Sequence, residues 1–265
     1  MTLRAIDPVI DGSMQALFEE DDLELAKTAI ESNLKLLEGM LKRHPENEKL
    51  LFLATQGYTA YALGFVEDHD LERARKLYLR AKNFGLKILC CKKQFKTALN
   101  EDLDTFTESL NQFSKNNVPA LFWTANAWGS YINLSMTDPQ ALVELPKVQV
   151  IMQRVLELDE SYFFGGAHLF FGTILAAKPP LLGGNPQKAR QHFDRCLEFS
   201  NGKFLLPYVY YAEHYAVRTM NQELFQQLLQ TVVSTDIDVL PEQRLPNAIA
   251  KKKAQLLLSA EAELF

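Results

Sequence analysis

An all-α fold is what this 265-residue sequence predicts: a single array of about 11–12 helices built from degenerate tetratricopeptide-like (TPR-like) hairpins. Three observations predict it. Apolar residues recur at steps of three and four in segment after segment, the period of one helix face. No segment alternates apolar and polar residues as a half-buried strand would. One spacing also returns in distant parts of the chain: alanine, an aromatic four residues on, a small residue three further.

In chain order, Leu23, Ala26, Ile30, Leu34, Leu37 and Leu41 form the first amphipathic stripe, and Pro45 stops it. A second helix is expected from Glu46 to Phe65, with small or aromatic residues at Ala54, Gly57, Tyr58, Tyr61 and Gly64. A third starts near Asp70 and places Ala74, Tyr78 and Ala81 on one face. Further helices read at roughly 94–113, 117–135, 145–158, 162–177, 186–200, 204–220, 221–233 and 244–264. Asn185-Pro186 sets a capping side chain before a proline at the first helical position, and Pro146 and Pro246 stand at similar starts. No low-complexity linker interrupts the series, so residues 1–265 are expected to form one domain, with 1–14 disordered.

The repeated spacing is clearest between Ala74–Phe84 and Ala189–Phe199, which share Ala-Arg-x-x-aromatic-x-Arg-small-x-x-Phe. Val148, Met152 and Val155 make a weaker third copy. A small residue lets two helices approach, and the aromatic beside it fills the groove.

Composition excludes several functions. The net charge of −5, with no basic run longer than Lys251–Lys253, gives no footprint for nucleic acid; that run is expected on a solvated helix face. No stretch of about 18 apolar residues is present to span a bilayer. The start, MTLRAIDPVIDGS, has no apolar signal core. Cys90, Cys91 and Cys196 are read as small buried hydrophobes rather than metal ligands or a disulfide framework. Nucleophile-elbow, zinc-protease and phosphate-loop motifs are all missing, so no catalytic residue, cofactor or metal is expected and the protein is read as non-enzymatic. His168 and His214 lie on aromatic-rich helices and are read first as satisfied core or cleft histidines. The neighbouring Glu213 is not expected to face His214.

Two segments stand out as candidate ligand-binding surfaces. Trp123 and Trp128 lie five residues apart on one helix, offset by roughly 140°, so one is expected in the core and the other toward a groove. Asn126 stands between them in an apolar run, and Tyr131 follows. The second segment is Tyr162–Gly172, with Phe163, Phe164, a Gly165-Gly166 pair and His168, leading to Pro180, Gly183 and Gly184. A glycine inside a helix costs about 1 kcal/mol relative to alanine, tolerable where another backbone or a ligand comes close. Gly183-Gly184 before a capped helix reads as a tight turn rather than an anion site.

The order of these motifs carries a resemblance. Asn33–Gly39, Ala60–Glu67, Trp123-x-x-x-Ala127-Trp128-Gly129, Leu145–Val148, Leu156–Tyr162, Gly166–Gly172, Pro180-Leu-Leu-Gly183-Gly184-Asn-Pro186, Ala189–Phe193, Tyr211–Ala216 and Asn247–Ala254 together resemble the T-component family of tripartite ATP-independent periplasmic (TRAP) transporters. The resemblance implies a periplasmic lipoprotein of cryptic TPR-like hairpins, with no catalysis. It implies association with the transporter's solute-binding protein, a homotrimer, and an apolar cleft for a hydrophobic or organic-acid ligand, which adds Tyr211 to the candidate residues. The signal and lipid-anchor cysteine of such a protein are not present in this chain and are expected in the full-length form. The alternative function is a general TPR-type peptide- or protein-binding scaffold.

Overall fold

Helices account for every regular element in the computed structural model, which describes residues 7–265, and no strand forms among the described residues. The all-α expectation therefore holds. α1 (Asp7–Phe18) occupies much of the stretch expected to be disordered; residues 1–6 of that stretch lie outside the described residues. α2 (Leu23–Arg43), α3 (Glu48–Phe65) and α4 (Leu71–Leu89) follow the predicted stripes. Asn47 and Asp70 cap α3 and α4, accepting from Leu50 N and Arg73 N.

The helix expected over 94–113 is two: α5 (Lys93–Ala98) and α6 (Leu103–Ser109), because the Asp102 side chain accepts from Thr105 N and begins a new helix. α7 (Val118–Asn133) leads to a four-residue α8 (Pro139–Leu142) that period alone does not reveal, then to α9 (Leu145–Asp159). α10 (Tyr162–Ala177), α11 (Pro186–Phe199) and α12 (Leu206–Tyr210) come next. α12 widens into a π-helical turn at Tyr211–Ala216, so the segment 204–220 is not one regular helix. α13 (Gln222–Ser234), α14 (Arg244–Ser259) and α15 (Glu261–Leu264) complete the chain.

The chain divides into two compact units. One is Lys27–Tyr162; the other combines Met1–Ala26 with Phe163–Phe265. In the first, α4 packs against α3 and α7, and α7 against α9. Two polar rungs tie α2, α3 and α4. Tyr58 donates to Glu38 at 2.8 Å and receives Arg80 at 3.2 Å, while Tyr61 donates to Glu31 and receives Arg73 at 3.2 Å. Glu31 and Glu38 are seven residues apart, as are Arg73 and Arg80, so the rungs repeat at two helical turns. In the second unit, α13 packs against α14 and the π turn. Buried Asn247 fixes the chain before α12, accepting from Leu205 N at 2.9 Å and donating to Lys203 O at 3.0 Å.

The repeated spacing marks equivalent buried positions. Ala74, Tyr78 and Ala81, then Val148, Met152 and Val155, then Ala189, Phe193 and Cys196 are all at most 1 % exposed. Lys251–Lys253 corrects an expectation. Lys253 is buried and Lys251 donates to Thr235 O at 2.6 Å, so only part of the run is solvated. The cysteines also differ: Cys196 is buried, Cys90 half-buried and Cys91 exposed.

Candidate functional site

The two segments singled out in the sequence fall in different units. On α7 the expectation of one core and one groove tryptophan is not met. Trp123 is 5 % exposed and Trp128 2 %, because a helix flanked by α3, α4 and α9 has core on more than one side. Trp123 packs edge-on against Phe122, and its indole meets the Tyr162 hydroxyl, whose pKa burial pushes up to about 12. Asn126 and Tyr131 are half-buried.

Trp128 belongs to a charged cluster that the sequence did not reveal. Its indole N–H donates to Glu144 Oε2 at 2.6 Å, and Lys82 Nζ reaches the same oxygen at 2.6 Å. The Lys82 ammonium also stands 4.3 Å from the Trp128 ring centre and 5.4 Å from that of Tyr131. Lys82 and Glu144 are separated by 62 residues, so no local signal links them. Every charge in the cluster is partnered, which makes it a clamp between α4, α7 and the start of α9.

The α10 segment is organised by a break. Phe163 (φ 47°), Phe164 (φ 55°) and Gly165 (φ 74°) are left-handed in succession. The two phenylalanines each lose about 1–2 kcal/mol in that conformation. Aromatic contacts offset the strain: Phe164 stacks on Phe204 at 4.6 Å, and Phe163 meets the same ring edge-on at 5.6 Å. Cys196 donates its S–H to Phe164 O at 3.1 Å, and burial pushes that thiol up to about 12. The sequence reading expects a backbone or a ligand close to the glycines; what comes closest to Gly165 and Gly172 is an aromatic side chain. A Cβ on Gly165 would lie 2.6 Å from the Phe199 ring, and one on Gly172 3.1 Å from Phe193.

Beyond the break, α10 turns its composition inside out. Its buried residues are Gly165, Gly166, Ala167, Gly172 and Ala176, while Phe163, Phe164, Phe170, Phe171, Ile174 and Leu175 stay half-exposed. His168 Nδ1 lies 2.9 Å from His192 Nδ1, with Phe199 beside His168 and Phe171 stacked on His192. Burial, then His168 and Lys188, push His192 down to about 4. Tyr211 is buried in a stack on Phe193 at 4.6 Å, and burial raises its hydroxyl. Pro180 and Gly183 are exposed; Gly183 is left-handed at φ 88° and a Cβ on Gly184 would collide with the Lys178 carbonyl. With Asn185 capping α11 through Lys188 N, this is the tight turn the sequence suggested. Contrary to the sequence reading, Glu213 does reach His214, at 3.7 Å within the π turn; that separation exceeds hydrogen-bond reach. No group of three or more His, Cys, Asp or Glu side chains could hold a metal ion among the described residues, and no described helix is long and apolar enough to cross a membrane.

Phe163, Phe164 and His168 are thus brought into one neighbourhood with Phe199 and Phe204, while Pro180, Gly183 and Gly184 form a separate turn. Against this arrangement, the TRAP transporter T-component family matches residues 19–265 of the sequence. This chain belongs to that family. The T-component is also similar to a protein of Treponema pallidum (strain Nichols) designated an uncharacterized protein, at 22% identity over 93% of this chain and 81% of the relative. The family match spans both units, so the charged clamp of Trp128 and the broken helix of Phe163 both lie within the T-component region.

Proposed function

We propose that this T-component is a non-enzymatic accessory subunit of a TRAP transporter that binds the system's solute-binding protein and holds a hydrophobic or organic-acid ligand against α10. The inverted burial of α10 carries the ligand part of this reading. A helix in a packed protein ordinarily buries its large apolar side chains and leaves small ones at the margin; α10 does the reverse. Contiguous half-exposed aromatics mark surfaces that await another molecule. The left-handed turn supports the same reading, since backbone strain concentrates where a chain is set up for function. Asn126 and Tyr131 on α7 are the members of the other candidate set that keep solvent contact. Periplasmic placement, a lipid anchor and a homotrimeric assembly belong to the same proposal and rest on the family.

Binding of the uncharged dye phenylnaphthylamine tests the ligand part. Phe163→Asp should weaken dye binding by about tenfold or more while leaving the fold intact, because aspartate tolerates a left-handed backbone better than phenylalanine. Undiminished dye binding by a folded variant would remove α10 as the ligand surface.

A further inference from the structure

The half-exposed face of α10 ends in positive charge. Lys178 follows Phe170 and Phe171 at eight and seven residues, and Ile174 and Leu175 at four and three, so it lies on their stripe. There it borders a cleft of about 200 Å³ lined also by Pro180, Pro186, Tyr215, Arg218 and Thr219. No acidic residue lines the cleft. Among the described residues neither Lys178 nor Arg218 has an ion-pair partner. Glu213, the acid on the adjoining π turn, lies 3.7 Å from His214 and does not line the cleft. Arg218 acts on His214 only as a like charge. Lys178 is half-buried and Arg218 exposed. The unit elsewhere pairs its arginines, as Arg195 with Glu198 at 2.8 Å and Arg244 with Asp238 at 2.5 Å. Two cations without an ion-pair partner suit a carboxylate; the Thr219 hydroxyl is already spent on Tyr215 O at 2.9 Å. From Phe170 to its end at Ala177 the helix offers roughly 10 Å of apolar flank.

We propose that the Lys178–Arg218 cleft receives the carboxylate of an amphipathic acid whose apolar tail lies along Phe170, Phe171, Ile174 and Leu175. This deepens the ligand reading above and rests on it. The cleft selects for a charged head by offering it two cations and no acidic lining residue, and the aromatic flank selects for the tail. Both halves contribute: a short acid lacks apolar area, and a neutral chain, held by the flank alone, binds more weakly because it leaves the cations unanswered.

Titration calorimetry on the full chain tests this with dodecanoate, dodecanol and acetate as probes. Dodecanoate should bind saturably, with dodecanol weaker by about tenfold or more and acetate not measurable. Lys178→Gln and Arg218→Gln should each weaken dodecanoate by about tenfold and leave dodecanol unchanged. If both variants bind dodecanoate as tightly as the parent, or if dodecanol matches dodecanoate, the carboxylate site is wrong while an apolar ligand on α10 stands. Should dodecanoate fail to bind where phenylnaphthylamine does, the same separation holds. Complex formation with the solute-binding protein is a separate readout that neither result touches.

Discussion

His192 is held neutral by its surroundings. Its ring stacks on Phe171 and its Nδ1 faces His168, so a proton there is doubly unfavourable. The folded value of about 4 lies below the ordinary 6.5. Between those values the unfolded chain binds a proton that the folded chain refuses, so stability falls as the pH drops through that window and is retained above it. A loss of about 2 kcal/mol is expected across the window, after discount for partial solvent contact. Urea unfolding at neutral and mildly acidic pH checks it: His192→Gln should shrink the difference, and an equal acid loss in both proteins would assign it to other groups. The cysteines allow a second residue-scale check. Exposed Cys91 should react with a thiol reagent in the native protein, whereas Cys196, buried and with its pKa raised, should react only on unfolding. Native labelling of Cys196 would contradict the packing of α10 on α11. Single residues were the least legible level in the sequence. The aromatic and histidine content of 162–172 was plain, but nothing local shows that His168 meets His192 or that both tryptophans of α7 are buried.

At the scale of elements the sequence spoke more clearly, because helix period, proline and capping asparagine or aspartate act over a few residues. The bounds of α2, α3, α4, α9 and α11 follow from such signals. The break in α10 did not show, since two phenylalanines before a glycine carry no sign of left-handed geometry, and the contacts that hold it, with Phe204 and Cys196, come from remote parts of the chain. Gly165→Ala should therefore destabilise by about 1–3 kcal/mol, by adding a Cβ at positive φ against Phe199; a neutral result by thermal unfolding would mean that the turn is not strained. The clamp joining α4, α7 and α9 was equally hidden, because its parts are remote in sequence. Glu144→Ala should cost about 2 kcal/mol by leaving the buried Lys82 ammonium without its carboxylate. Glu144→Ala with Lys82→Met should recover part of that loss, and failure to recover would show that the charge pair is not the source.

For the whole molecule, helical class and family were legible in the order of motifs, while the division into two compact units was not, since no linker composition marks positions 26 or 162. α2 runs unbroken across the first of these. We propose that residues 1–265 unfold as one domain, and calorimetry should then give one unfolding transition rather than two. We propose that the T-component works in partnership with a solute-binding protein. Size-exclusion chromatography with light scattering, on the purified chain mixed with the solute-binding protein of the same transport system, tests it most directly. A co-eluting complex whose mass equals the sum of both proteins is the predicted result. Separate elution across a range of salt and in the presence and absence of solute would contradict it.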